Sequence, residues 1–274
     1  MRKGKEVRKD ETMDNSNGIY AAQADRAYCV DAIDFMRMLP DKSIDLIIAD
    51  PPYYRINGFF DFQFDSEEDY LLWCMEWVEQ CFRILKDSGA FYCWCSCLML
   101  DKLSVHVLDQ FKWDKRNLIV WNYKTGRAGK RAYRQESEFC WFYSKQNHLL
   151  NVDAIRIPYT SFGFEKDKRK NPAGKTCGNV WESPRIMPNF KEYAGHPTQK
   201  PLMLCERIVR ASSQVGDMVM VPFAGSGSEV VACIRLGRLF FATENCETYY
   251  HDILSPRLDM ARLVSVEGEQ RHGK

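Results

Sequence analysis

No apolar run in this 274-residue chain approaches the roughly 18 consecutive residues that a membrane span requires. The stretch from Met1 to Asn17 is polar and charged and lacks the apolar centre of a secretory signal, so a loose tail is expected there. Internal repeats are missing. Zinc-type spacing is missing too: the chain has 11 cysteines, yet no two stand as Cys-x-x-Cys and no His-x₃₋₅-His accompanies them. Without a secretory signal, free thiols in a reducing compartment follow, and no metal site is expected. Cys93, Cys95 and Cys97 alternate along a strand-like segment and are expected on one face as small apolar side chains.

A large net charge is also lacking, at +1 overall, but the balance is uneven. Residues 112–200 hold 18 Lys and Arg against 8 Asp and Glu, a net of +10, while the rest holds 20 against 29, a net of −9. A basic middle third suits contact with a polyanion, although a solvated face would have the same composition. With 45 % apolar and 27 % charged residues, the chain can build one large core, with or without an inserted lobe.

Apolar patterning alternates between strand and helix, which is the signature of an α/β fold with a doubly wound, mostly parallel sheet. A short strand is expected from Arg26 to Asp31, then a helix to Leu39. Ser43 to Ala49 is a nearly continuous apolar run ending at Asp50, as in a parallel strand buried on both faces. Ser66 opens a helix to Lys86 with acids in its first turn, and Leu72, Met75, Val78, Phe82 and Leu85 recur at helical spacing. Asp87-Ser88-Gly89 is expected to stop that helix before a strand from Ala90 to Cys97. A helix from Leu98 to Phe111 and strands at Asn117–Tyr123 and Glu138–Ser144 follow. Residues 151–195 show no sustained periodicity, which marks a functional segment or an inserted lobe. Regular structure resumes with a helix at Pro201–Ser213, a strand at Asp217–Val221, a helix at Ser228–Leu236, a strand at Arg238–Thr243 and a last helix toward Leu263.

Three motifs carry chemistry. Asp50-Pro51-Pro52-Tyr53 ends a buried strand, where open parallel sheets face their ligands. The prolines fix the backbone and leave rigid carbonyls. A carboxylate and a carbonyl can accept both N–H bonds of an amine, and the tyrosine ring can stack on the planar group that bears it. A plain turn after a strand is the competing reading. Phe223-Ala224-Gly225-Ser226-Gly227-Ser228 again joins strand to helix, where glycines let backbone amides approach a ligand. It lacks the third glycine of a dinucleotide fingerprint, but Glu244 ends the next strand where an acid would accept ribose hydroxyls. That combination fits an adenosine-containing ligand without a pyrophosphate. His196-Pro197-Thr198-Gln199-Lys200-Pro201 precedes a helix and forms either a rigid ligand-contacting loop or a turn with an N-cap.

The order of these motifs, with a basic region between the first two blocks, resembles the permuted β-group of DNA amino-methyltransferases, which modify adenine N6 or cytosine N4. The resemblance spans about Tyr28 to Tyr250. It implies a Rossmann-like methyltransferase domain over 19–123 and 196–265, an inserted target-recognition lobe over 124–195, and tails at 1–18 and 266–274. It implies S-adenosyl-L-methionine as methyl donor and double-stranded DNA as substrate. Asp50 and the Pro51 carbonyl would hold the amine, with Pro52 stiffening the turn and Tyr53 stacking on a flipped base. Asp31 would contact the cofactor's adenine amine and Phe223 its ring. Gly225, Ser226, Gly227 and Ser228 would admit the methionine part, Glu244 the ribose, and Thr198 and Lys200 the tail. Asp31 has a plainer alternative as a helix N-cap.

In the basic lobe, Arg127, Lys130, Arg131 and Arg134, with Tyr123 and Tyr133 between them, would contact phosphates and bases. Lys166, Lys168, Arg169 and Lys170 form a second cluster. Asp50, where cytosine N4 enzymes often have Ser, favours adenine. Val221 stands where the family usually has Asp, which leaves a non-catalytic DNA-binding relative as an alternative. An NAD-type dehydrogenase would leave Asp50–Tyr53 unexplained. The resemblance further implies a cytoplasmic protein of bacterial or phage origin and admits a homodimer and a companion restriction nuclease.

Overall fold

The computed structural model describes residues 23–56, 63–126, 128–159 and 170–272. Eight strands form one sheet: β1 (Arg26–Cys29), β2 (Ile44–Ala49), β3 (Leu85–Cys95), β4 (Asp114–Asn122), β5 (Ser137–Ser144), β6 (Val180–Glu182), β7 (Met218–Val221) and β8 (Leu239–Glu244). Their spatial order is β1-β8-β7-β2-β3-β5-β4-β6. All neighbours pair in parallel except at β5, which runs antiparallel to both β3 and β4.

Helices cover both faces, as expected for a doubly wound sheet. On β2, Leu46 and Ile48 enter the core under α4 (Leu202–Ser212), α5 (Ser228–Arg235) and α7 (Ser255–His272). Ile47 and Ala49 enter the opposite core under α1 (Ala32–Met38), α2 (Glu67–Ile84) and α3 (Leu100–His106). The two-residue period of the strand makes this division. A short helix, α6 (Glu247–Tyr249), passes through a π turn at Tyr250–Leu254 into α7.

Several expected boundaries are corrected. A capping box fixes the start of α2: the Ser66 hydroxyl accepts from the Asp69 amide, and the Asp69 carboxylate accepts from the Ser66 amide. Its buried stripe is Tyr70, Cys74, Trp77, Val78, Cys81 and Ile84, whereas Leu72 is exposed. Asp87-Ser88-Gly89 does not precede β3 but bulges within it: the register against β2 jumps from Ile44–Leu85 to Leu46–Ala90. Cys93 and Cys95 share one buried face, but Cys97 lies past the strand end and is exposed. The segment 124–195 is not a separate lobe throughout, because β5 and β6 lie in it and both belong to the sheet. The C-terminal 266–274 is helical as far as His272.

Because β5 alone is reversed, the end of β4 and the start of β5 lie at the same edge as the carboxyl ends of β2 and β3. The 123–136 connection therefore rises beside the strand ends where Asp50 stands.

Candidate active site

A cavity of about 320 Å³ opens at the carboxyl ends of β1, β2, β7 and β8, a size within the range of small-molecule pockets. It is lined by Asp50, Pro51, Pro52 and Tyr53 together with Asp31, Thr198, Lys200, Phe223, Gly225, Ser226 and Glu244. The three motifs thus meet in one place, although Asp50 and Lys200 alone are 150 residues apart in the chain.

The Asp50 carboxylate is held from two sides. Lys200 donates to Oδ1 at 2.8 Å and Oδ2 at 2.7 Å, and the Tyr53 hydroxyl donates to Oδ1 at 2.9 Å. Burial opposes the charge on Lys200, but Asp50 and then Glu138 more than offset it and hold its ammonium above the ordinary lysine range. Glu138 of β5 reaches the same ammonium at 3.5 Å. Burial, then the Asp50 charge, pushes the Tyr53 phenol well up, so it donates as a neutral hydroxyl. An ionised carboxylate has about four lone-pair sites, so these contacts leave Asp50 able to accept another N–H. The Pro52 carbonyl accepts from the Tyr70 hydroxyl at 3.1 Å. The Pro51 carbonyl meets no hydrogen-bond donor among the described residues. Lys200 therefore holds Asp50 while also lining the cavity.

Asp31 takes the plainer of its two expected roles, the N-cap. Its Oδ1 accepts from the amides of Ile33 and Asp34 at 2.8 and 3.2 Å, capping α1, and the residue also lines the cavity. Glu244 ties the glycine loop to β8: Oε2 accepts from the Gly225 amide at 2.8 Å and Oε1 from the Cys246 amide at 2.9 Å. Burial raises its pKa and these amides lower it, with burial prevailing. Phe223 is fixed by Trp77, edge-on at 5.4 Å, and by Trp73 at 5.5 Å, leaving one side to the cavity.

Gly225 has φ +48°, and a Cβ there would stand 3.2 Å from Nε2 of His196. Gly227 and Ser228 fall outside the lining. A Cβ at Gly227, which has φ +76°, would stand 2.5 Å from Leu254, and the buried Ser228 hydroxyl donates to the Lys200 carbonyl at 2.7 Å. These two hold the loop against α7 and the Lys200 segment.

Among the lining residues that carry no role in the sequence reading are His196 and Glu229. His196 packs edge-on against Tyr249 at 4.5 Å, and burial pushes its imidazole down to about 4, so it is neutral at pH 7. Glu229, in the first turn of α5, is 3 % exposed, and its Oε1 has no hydrogen-bond partner among the described residues. Nothing in sequence spacing marks it, since acids are ordinary in a first helical turn.

Of the expected nucleic-acid contacts, Lys130, Arg131 and Arg134 stand exposed on the 123–136 connection, Arg134 pairing with Glu136. Tyr133 beside them is fully exposed. Lys170 lies 5.2 Å from the Tyr159 ring. Arg127, Lys166, Lys168 and Arg169 lie outside the described residues. Among the described residues no group of His, Cys, Asp or Glu could hold a metal ion, and no helix is long and apolar enough to cross a membrane.

The cavity's chemistry fits S-adenosyl-L-methionine: an aromatic wall at Phe223, two strand-end acids, and a carboxylate atom left unpartnered in a largely acidic lining. Comparison with known proteins agrees. The chain is 36 % identical over 250 residues to the DNA adenine methyltransferase YhdJ of Escherichia coli (strain K12), covering 86 % of this chain and 83 % of that protein. It is 31 % identical to the Type II methyltransferase M.BglII of Bacillus subtilis, covering 83 % and 67 %. In fold it is similar to M1.HpyAVI bound to S-adenosyl-L-methionine, with TM-score 0.59 and 24 % identity over 85 % of this chain and 98 % of that one. It is also similar to the cytosine-N4-specific PvuII DNA methyltransferase, with TM-score 0.65 and 15 % identity over 88 % and 92 %. A family model described as DNA methylase matches residues 44–255, and the chain belongs to that family of S-adenosyl-L-methionine-dependent N6/N4 DNA methyltransferases.

Proposed function

We propose that this methyltransferase modifies adenine N6, with Asp50 and the Pro51 carbonyl accepting the two N–H bonds of the amine. The observation that carries the reading is the Asp50 carboxylate, oriented by Lys200 and Tyr53 beside a carbonyl that has no other described donor. Two acceptors fixed in this way draw the amine away from planarity and free its lone pair for attack. No general base is needed before transfer; positioning and electrostatics supply the catalysis. The neutral His196 adds no competing positive charge beside the amine. Tyr53 forms the wall on which the extruded base stacks.

Asp31, Phe223, Gly225, Ser226 and Glu244 would hold the cofactor, whose sulfonium supplies an electrophilic methyl group. Thr198 borders the same space, its hydroxyl 3.4 Å from Nδ1 of His196. Lys130, Arg131 and Arg134 would meet the phosphates beside the cavity, with Arg127, Lys168, Arg169 and Lys170 extending that contact. The adenine preference draws on Asp50 and on the name of the Escherichia coli relative. The Type II name of the Bacillus subtilis relative supports a companion restriction nuclease.

Transfer of labelled methyl groups to mixed genomic DNA, followed by nucleoside mass spectrometry, tests this. N6-methyladenine is expected, and Asp50→Ala should abolish it. N4-methylcytosine as the product would overturn the adenine assignment and leave the amine-holding geometry standing.

A further inference from the structure

Four carboxylates line the cavity, on Asp31, Asp50, Glu229 and Glu244, against the single ammonium of Lys200. Three of the acids have described partners: Asp31 caps α1, Asp50 is paired with Lys200, and Glu244 accepts two backbone amides. Glu229 differs. It is almost wholly buried and its Oε1 is unpartnered, although burying an ionised carboxylate without a partner is costly.

The groups acting on Glu229 come from every element around it. Asp50 at the end of β2 repels its charge, and Lys200 before α4 attracts it. Cys205 on α4 lies beside it; its thiol donates to the Pro201 carbonyl at 3.6 Å and is pushed well above the ordinary range, first by burial and then by the Glu229 charge. Arg257 on α7 and Cys233 on α5 feel its charge in turn. Burial dominates, followed by Asp50, and together they raise the carboxyl to about 7. At neutral pH it therefore stands near the midpoint of its titration, where a nearby ligand charge tips it most easily.

Methyl transfer changes one charge on the cofactor. The sulfonium of the donor is positive, and the thioether of the product is neutral. The amino-acid and adenosine parts are common to both. We propose that Glu229 reads the charge on the cofactor's sulphur, binding the donor as a carboxylate and the demethylated product as the neutral acid, and so favours donor over product. The inference rests on the cofactor site proposed above.

The sign follows from linkage. A ligand that prefers the ionised acid binds more tightly as pH rises, until the free protein is itself fully ionised. If the sulfonium draws the Glu229 carboxyl down by about one unit, the preference for donor over product should grow about fivefold from pH 6 to 8. Binding of S-adenosyl-L-methionine and S-adenosyl-L-homocysteine to the whole protein, measured by calorimetry across that range, gives the ratio directly. The wild-type ratio should climb and that of Glu229→Gln should stay flat; titration of the ligands themselves cancels between the two proteins. A flat wild-type ratio, or an equal climb in Glu229→Gln, overturns the proposal.

If Glu229→Gln does not fold, the wild type alone decides. At pH 7 in two buffers of different ionisation enthalpy, donor binding should release more protons than product binding, and equal release overturns the proposal. Failure of both ligands to bind the wild type would remove the cofactor site and this inference with it. A flat ratio with both ligands bound would remove only the role of Glu229.

Discussion

Lys200 offers its ammonium to both oxygens of Asp50 from a side chain that is 2 % exposed, while Asp50 keeps 18 % of its own side chain open. The cation is sealed in, and the anion faces the cavity. A buried charge whose partner is removed is strongly destabilising, and the partial exposure of Asp50 puts the expected loss at the lower end of that range. Lys200→Met should therefore lower unfolding free energy by about 3 kcal/mol and reduce kcat, with cofactor binding still measurable. Wild-type stability in this variant by denaturant titration would show that the pair contributes little to the fold.

Tyr53 combines a ring that walls the cavity with a hydroxyl on Asp50. These separate in two variants. Tyr53→Phe removes the hydrogen bond that the hydroxyl donates to Asp50, worth about 1.5–3 kcal/mol, and the one it accepts from Lys200 at 3.2 Å, while Lys200 still holds the carboxylate. Tyr53→Ala also removes the stacking face. The alanine variant should lose at least tenfold more kcat/KM than phenylalanine does. Equal losses would leave the ring with no part in binding the base.

The Glu229 carboxyl is raised from its ordinary value to about 7 by burial and by Asp50. A carboxyl raised on folding contributes stability that is present below the unfolded value and is lost as pH rises through the folded one. The window here is about 4.5 to 7. Relative to wild type, Glu229→Gln should therefore gain about 3 kcal/mol of unfolding free energy between pH 4.5 and 7.5. A constant difference across that range, measured by denaturant unfolding, would contradict the raised value.

Reversing Lys130 and Arg131 to Glu should weaken DNA binding and flatten its dependence on salt, because each lost phosphate contact removes roughly one released counterion. Binding isotherms at several salt concentrations check this. An unchanged slope would take the 123–136 connection out of the interface.

Much of the site was legible because it is local. Asp50 to Tyr53 is a rigid tetrapeptide at the end of a strand whose buried run needs no tertiary information. The strand-to-helix position of the glycine loop likewise places Gly225 and Ser226 at the cavity. The same motif misled at Gly227 and Ser228, whose side of the turn faces Leu254 and the Lys200 carbonyl; a sequence lists the loop but not which side faces inward. The partner of Lys200 lies 150 residues away, and only the parallel order of β2, β7 and β8 brings the two segments together. On α2 apolarity favoured Leu72, yet the aromatic packing of Trp73 and Trp77 against Phe223 rotates the helix so that Tyr70 and Trp77 go inward. Strand β6, three residues long, is too short for any period to show.

The reversal of β5 also governs how freely the segment between β4 and β5 can vary. Strands β4 and β5 need only a hairpin between them, whereas parallel neighbours need a long crossover that packs against the sheet. Beyond the buried Tyr123 and its backbone bond to Glu136, residues 124–135 can therefore lengthen, shorten or exchange side chains without disturbing either helical layer. If that connection meets DNA as proposed, new DNA preferences are open to natural variation or to design there.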